Sequence, residues 1–355
     1  MSGPRVGLNT GPFIYAESMT TSDPASDAEF KRTLNPVAPR VAYAPVPRSG
    51  ELPSNLLFAV SFGATPALPA HVAVRVNLEP EVGRDLAELW FATGPVTSTT
   101  AGAIRSASDA HFLAAVIEVD EREHGGIEAA TEYAYRSIAE FQARSDFPHL
   151  VRTWNYFDAI NLGEGEAERY RGFCAGRVAG FSGVTLERYP AATVIGRRDG
   201  EPLLQVYWLA ARLPGFALEN PRQLPAYQYP RQYGRTSPTF SRAMLVAPDA
   251  LMISGTASIV GHASLHPGSV GGQVEEILAN LETLISRAHA RSPALPAKIG
   301  RHTLIKAYVR HRGDVEEVES RLRARLPAGA DVLVLSGDVC RADLLVEFDC
   351  LHTAG

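Results

Sequence analysis

Between Pro221 and Pro248 the chain carries four arginines, Arg222, Arg231, Arg235 and Arg242, and no acidic residue. The whole 355-residue sequence has a formal net charge of −5, so this segment reverses the balance of the chain around it. Tyr227, Tyr229 and Tyr233 are interleaved with the arginines, and Pro225, Pro230 and Pro238 interrupt them. Proline fixes φ and removes a backbone donor, which predicts a stiff, irregular loop and neither helix nor strand. A guanidinium on such a loop presents a planar fork of donors that matches a carboxylate or a phosphate. Two readings stand: a surface loop with scattered arginines, or a binding site for a compact anion. The missing acids favour the second.

A second group of reactive side chains lies near the end of the chain, in LLVEFDCL (Leu344–Leu351). Strand alternation puts Val346, Phe348 and Cys350 on one face and Glu347 with Asp349 on the other. Taken alone, this is either an acidic face turned to water or a carboxylate pair turned into a cleft. In a cleft, burial and the like-charged neighbour would both raise a carboxyl pKa. Other candidates are weaker. His262 and His266 have i,i+4 spacing, but Pro267 and flanking glycines predict a loop, and no Glu follows the first His as in a metalloprotease helix. No metal is expected there. Nucleophile elbow, Walker loop and dinucleotide fingerprint are all missing. Trp154 and Trp208 sit in apolar strand contexts and read as core.

The elements that must position these groups form an internal repeat. Asp109-Ala110 precedes the apolar run HFLAAVIEV, and Asp249-Ala250 precedes LMISGTASIV. A Gly-Gly pair then opens a helix in each half. Its apolar positions are Ile127, Ala130, Ala134, Ile138 and Phe141 in the first, and Val274, Ile277, Leu278, Leu281 and Leu284 in the second. A strand follows (LVRTWNY from Leu150, LIKAYVR from Leu304), then a second amphipathic helix and two more strands. The order strand, helix, strand, helix, strand, strand predicts an α+β fold of two mixed-sheet units, each with two helices packed on one face. The division falls at 1–215 and 216–355, the first half including an extension of about 85 residues with a strand near Asn55–Ser61. The bare sheet faces then turn toward each other, and a cleft between the halves is the expected ligand site.

Composition narrows the function. An apolar fraction of 45% and a charged fraction of 21% are those of an ordinary globular protein with a sizeable core. Mild acidity without a Lys/Arg block argues against nucleic acid or an anionic membrane as partner. No apolar run approaches the ~18 residues of a membrane span. MSGPRVGLNTGPFIYAESM, at the N-terminus, lacks the charged and apolar regions of a signal peptide. Cys174, Cys340 and Cys350 are too few and too unevenly spaced for a disulfide framework or a zinc site, so a reducing cytoplasm is expected. Duplication within one chain favours a monomer.

The helix with Gln273 at its start and Asn280 inside it, following ISGTAS, resembles the reactive-intermediate deaminase superfamily. Four blocks resemble the chorismatases more closely: VRTWNYFDAIN (Val151–Asn161), ERYRGFCAGR (Glu168–Arg177), ENPRQLPAYQYPRQYGRTSP (Glu219–Pro238) and ISGTASIVGHAS (Ile253–Ser264). The terminal CRADLLVEFDC (Cys340–Cys350) agrees, and the likeness spans roughly residues 40–352. The resemblance implies a two-half fold, no cofactor, chorismate as substrate, and a place in secondary metabolism.

Chorismate carries two carboxylates, which call for two cationic patches. The resemblance implies a substrate-binding set of Arg231, Arg235, Tyr227 and Tyr233 from the loop, Arg169, Tyr170 and Arg177 from the helix block, and Gly255 among the small residues Ser254–Ser258. Arg169 and Arg177 are eight residues apart, roughly on one helix face. Cleavage of the enol ether begins with protonation of its methylene, and the family's terminal motif makes Glu347 the acid. Cys340, ahead of it, resembles the mark of the subgroup that makes 3-hydroxybenzoate; relatives without it hydrolyse chorismate to a dihydroxycyclohexadiene carboxylate. A nearby arginine is expected to lower the thiol pKa so that Cys340 helps move a ring proton. The rival readings are an imine deaminase and a non-catalytic small-ligand binder on the same scaffold.

Overall fold

The computed structural model describes residues 30–38, 40–45, 53–63, 73–80, 86–182 and 189–355. The N-terminal stretch read for a signal peptide lies outside these residues. Four strands, β1 (Arg40–Pro45), β2 (Leu56–Phe62), β3 (Ala73–Val76) and β4 (Leu86–Phe91), form a small sheet in the order β1-β4-β2-β3. The single strand expected in the extension is β2. Its three neighbours escape the sequence reading: β3 has only four residues, β4 is buried through its middle, and β1 is half-exposed along its length, so none shows a clear alternation.

The duplicated units follow. The first sheet has the order β5-β6-β7-β10-β8-β9, with β5 (Thr97–Ala101), β6 (Ile104–Ser108), β7 (Phe112–Asp120), β8 (His149–Asp158), β9 (Ala191–Arg197) and β10 (Leu203–Ala211). The second has the order β11-β12-β13-β18-β16-β17, with β11 (Phe216–Leu218), β12 (Ala243–Ala247), β13 (Ala250–Ala257), β16 (Thr303–Val309), β17 (Asp331–Ser336) and β18 (Val346–Thr353). A short ribbon, β14 (Ile259–Val260) and β15 (Ala263–Ser264), lies between. In both sheets the last pair, β8 with β9 and β16 with β17, is parallel, and the strand beside it is antiparallel. The repeat holds strand for strand.

Helices α1 (Ile127–Ala143) and α2 (Arg169–Gly180) cover one face of the first sheet; α3 (Val270–Arg291) and α4 (Val315–Arg325) cover one face of the second. The expected apolar stripes do the packing. Ala130, Ala134 and Ile138 meet Leu113, Ala115 and Ile117, while Val274, Ile277 and Leu281 meet Ile253, Ile305 and Phe348. α3 begins one residue before its glycine pair, because Ser269 caps it by accepting a hydrogen bond from the Gly272 amide at 3.2 Å. α1 and α2 approach closely through Gly176, where a Cβ would overlap the Glu128 carbonyl oxygen.

The bare faces do not leave an open cleft along their length. Phe58, Val60 and Phe62 of β2 and Trp90 of β4 enter the interior with Trp154, Tyr207, Met252 and Tyr308. The N-terminal sheet is therefore a third wall of this core, and ligand space is confined to one end. Among the described residues no helix is long and apolar enough to cross a membrane.

Candidate active site

At that end β9 of the first half runs beside β13 of the second. β13 has a register shift between Ile253 and Thr256, opposite the stretch from Cys350 to Phe348 on β18. This irregularity turns Ser254 toward β9, where its Oγ accepts from the Ala192 amide at 2.9 Å and donates to the Ser241 carbonyl at 2.6 Å. The seam is fixed, and a cavity of about 300 Å³ opens beside it. That volume is at the lower end of small-molecule sites.

The cavity is lined from both halves. Tyr170 and Arg171 reach it from α2, Tyr229, Tyr233 and Arg242 from the arginine loop, and Gly255, Cys340, Arg341 and Glu347 from the second unit. Glu347 points to the interior face, as alternation requires, and is only 5% exposed. Among the described residues its carboxyl has no hydrogen-bond partner. Burial, and then the charge of Asp349, push its pKa up to about 8, against the opposing pull of Arg152 and Arg242. These surroundings favour its protonated form.

Three arginines line the cavity. Arg242 is 3% exposed; its Nη2 donates to the Leu224 carbonyl and the Tyr229 hydroxyl, both at 2.8 Å, and its Nε is buried without a partner. Arg341 lies 3.9 Å from the centroid of the Tyr233 ring and is steadied by the His262 carbonyl at 2.8 Å. Arg171 sits at the rim, bonded to Glu168 at 3.0 Å. Glu168 also lines the cavity.

The loop bearing Cys340 and Arg341 is held by buried polar groups. Arg310 Nε donates to the Leu344 carbonyl at 2.8 Å, and its Nη2 donates to the carbonyls of Val339 at 2.8 Å and Arg341 at 3.0 Å. Asn161 donates to the Cys340 carbonyl at 3.1 Å, and Gln273 takes the Leu345 amide at 2.8 Å. Asn280 serves the other side of the site, bonding the Ile259 carbonyl at 3.0 Å and Arg222 Nη1 at 2.9 Å. Polar residues inside a helix and buried to 0% exposure, as Gln273 and Asn280 are, carry the signal for this role.

Of the residues expected from sequence, Glu347, Cys340, Tyr170, Tyr233 and Gly255 come together around the cavity. The others stand apart. Arg169 pairs with Glu121 at 2.8 Å and with the Asp158 carbonyl at 3.0 Å, fastening α2 to the end of β8. Arg235 is exposed and pairs with Glu128 at 2.7 Å; Arg231 and Tyr227 are also exposed. Arg177 is buried over the Tyr135 ring, with Nε and Nη2 unpartnered. None of these five is among the cavity-lining residues. Arg242, one of the four loop arginines, is absent from the substrate-binding set that the resemblance implies, as is Arg341: the first follows the cluster of loop tyrosines, and the second stands alone in the turn after Cys340. The expectation of a lowered Cys340 pKa is corrected. Burial, and then Glu347, push the thiol up to about 12, because the arginines near it do not offset its loss of water. His262 Nδ1 and the Tyr233 hydroxyl share a hydrogen bond at 3.1 Å, and His266 faces Glu276 at 3.3 Å.

Comparison with known proteins places the chain among relatives. A family model described as chorismatase FkbO/Hyg5-like, N-terminal, matches residues 88–210. A 3-hydroxybenzoate synthase of Streptomyces hygroscopicus is 33% identical over 312 residues, 83% of this chain and 91% of the relative. A chorismatase of Streptomyces rapamycinicus is 36% identical over 283 residues, 74% of this chain and 81% of the relative. The crystal structure of a chorismatase superposes with a TM-score of 0.80 at 30% identity, covering 90% of this chain and 100% of that one.

Proposed function

The chain belongs to the chorismatase family, and on that footing we propose that it cleaves chorismate to 3-hydroxybenzoate and pyruvate with Glu347 as the proton donor. The observation that carries this reading is the buried Glu347 carboxyl, raised to about 8 and facing a cavity with arginines on its walls. A general acid works best when its pKa lies near the working pH, and this one does.

Glu347 protonates the methylene of the enolpyruvyl group and creates an oxocarbenium ion at the ether carbon. The hydroxyl on the neighbouring ring carbon then attacks the ether-bearing ring carbon and gives its proton to the Glu347 carboxylate, the ring C–O bond breaks, and pyruvate leaves with its carbonyl restored and its carboxylate ionised. As the resulting epoxide opens, the ring loses a proton, the oxygen gains one, and the ring aromatises. No water enters the overall equation. Arg242 and Arg341 are the two carboxylate partners in this reading, since each lines the cavity and Arg242 has a buried donor unspent. Tyr170 and Tyr233 form walls for the ring.

Cys340 contributes as a neutral thiol. With its pKa near 12 it does not act as a thiolate base; it fills space next to Glu347 and keeps water from the cation. Hydrolysis to the dihydroxydiene acid is the competing outcome if water reaches that cation. Chromatography of the products decides between them. Wild-type protein is expected to yield 3-hydroxybenzoate, and Cys340→Val to shift the ratio toward the diene acid with pyruvate release continuing. A wild-type reaction dominated by the diene acid overturns the assignment.

A further inference from the structure

Behind the cavity lies a cluster of charged side chains that the reaction does not touch. Lys306 of β16 pairs with Glu88 of β4 at 2.7 Å, and its ammonium lies 3.7 Å from Asp349. Arg152 of β8 faces Asp349 at 3.5 Å. Asp349 also accepts from the Tyr308 hydroxyl at 2.9 Å and the Thr193 hydroxyl at 3.1 Å, and Trp90 donates to Glu88 at 2.7 Å. Every one of the four charged residues is at most 3% exposed. Burial would lower the Lys306 pKa, but Asp349 and Glu88 outweigh it and hold the ammonium above its ordinary range.

The charges can be counted. Lys306 and Arg152 are two cations, and Glu88 and Asp349 are two carboxylates that answer them. Tyr43, Tyr156, Tyr207 and Tyr308, which face the same cluster, are pushed up by burial and remain neutral. Glu347 is the third carboxylate on this face. Around it stand Asp349 on its own strand, Tyr308 opposite it on β16, Arg152, Arg242, Cys340 and Tyr170. Arg242 lies near Glu219, whose own pKa burial pushes up to about 7, and Arg242 and Arg341 face the cavity where the substrate's two carboxylates are placed. Within the buried cluster itself no cation is left over for Glu347.

We infer that the N-terminal sheet sets the protonation state of the acid: Glu88, by completing a neutral cluster of two cations and two carboxylates, leaves Glu347 as the surplus carboxyl that must carry a proton. This rests on the reading of Glu347 as proton donor. Glu88, Lys306 and Asp349 are positioning residues in this account, since they act through charge and do not reach the cavity. It gives the extension a task in the chemistry in addition to its packing.

The test is a charge-swap series read by the alkaline limb of the kcat–pH profile. Glu88→Gln leaves a cation unanswered, so Glu347 ionises more readily and the limb moves to lower pH by about one unit. The double variant Glu88→Gln/Lys306→Met removes both charges and returns the limb to its wild-type place. Exchanging a buried pair for neutral groups is usually tolerated by the fold. If Glu88→Gln alone does not fold, Lys306→Gln makes the opposite change, and its limb stays or moves up. A Glu88→Gln limb in the wild-type position, a double variant that keeps the shift, or a downward shift in Lys306→Gln overturns the inference. A merely structural role would lower kcat at every pH without these opposed movements. An infrared difference spectrum separates this inference from the one beneath it. A protonated-carboxyl band at neutral pH, lost in Glu347→Gln and lost at lower pH in Glu88→Gln, supports the charge count even if Glu347→Gln keeps its activity.

Discussion

The carboxyl group of Glu347 occupies the space that a side chain at Gly255 would need. A Cβ built at position 255 overlaps Glu347 Oε1, and the same Cβ would lie 3.4 Å from Thr193 Oγ1. The acid is held by the absence of an atom on the neighbouring strand, at the register irregularity of β13. Gly255→Ala is therefore expected to push the carboxyl off its present line. A displacement of about 1 Å at a reacting group costs up to about 100-fold, so kcat should fall roughly 10- to 100-fold with a smaller change in KM. Steady-state pyruvate release measures both, and an unchanged kcat contradicts the placement.

Of the three arginines that line the cavity, Arg242 and Arg341 should matter more than those the loop presents to water. Arg242→Ala and Arg341→Ala each remove a charge-assisted partner from the substrate. Each should lower kcat/KM by about 10- to 150-fold, the equivalent of about 1.5–3 kcal/mol. Arg235→Ala removes only exposed pairs with Glu128 and Glu166 and should stay within about twofold of wild type. Thermal melting of each variant separates binding from folding. A loss in Arg235→Ala that exceeds the loss in Arg242→Ala would reverse this assignment.

Strand alternation made part of this site legible in the sequence, and the family resemblance chose the cleft over a wet acidic face. The pattern LLVEFDCL put Glu347 and Asp349 on the face opposite Phe348 and Cys350, and they are there. The duplicated order of elements was equally plain, since each helix carries a continuous apolar stripe. Which arginine reaches inward was not legible. In a proline-rich loop no period relates neighbouring side chains, so Arg231, Arg235 and Arg242 look alike until the two short 3-10 turns at Ala226–Gln228 and Arg231–Tyr233 are known. Nor did the sequence reveal that Glu88, 259 positions before Glu347, enters the same interior. Its strand is part of a sheet with little alternation, and long-range charge pairing leaves no local pattern.

Stability should record the buried carboxyl independently of activity. The folded-state pKa of Glu347 is raised from the usual 4.5 to about 8, so between these values the folded chain binds a proton that the unfolded chain has released. The stabilisation linked to that proton is complete below about pH 4.5, declines as pH rises, and is gone above about pH 8. Glu347→Gln has no proton to lose there. The melting temperature of wild type relative to Glu347→Gln is therefore expected to drop from pH 5 to pH 8, and a constant difference would show that the carboxyl is not raised.

Pyruvate release from chorismate by Glu347→Gln, followed with lactate dehydrogenase, is the most direct measurement of the account. Glutamine keeps the shape of the side chain and cannot deliver a proton. Because general acid catalysis contributes about 10²–10⁴-fold, kcat is expected to fall by at least about 100-fold while the variant still binds chorismate. Turnover within a few-fold of wild type would contradict it and remove Glu347 from the chemistry.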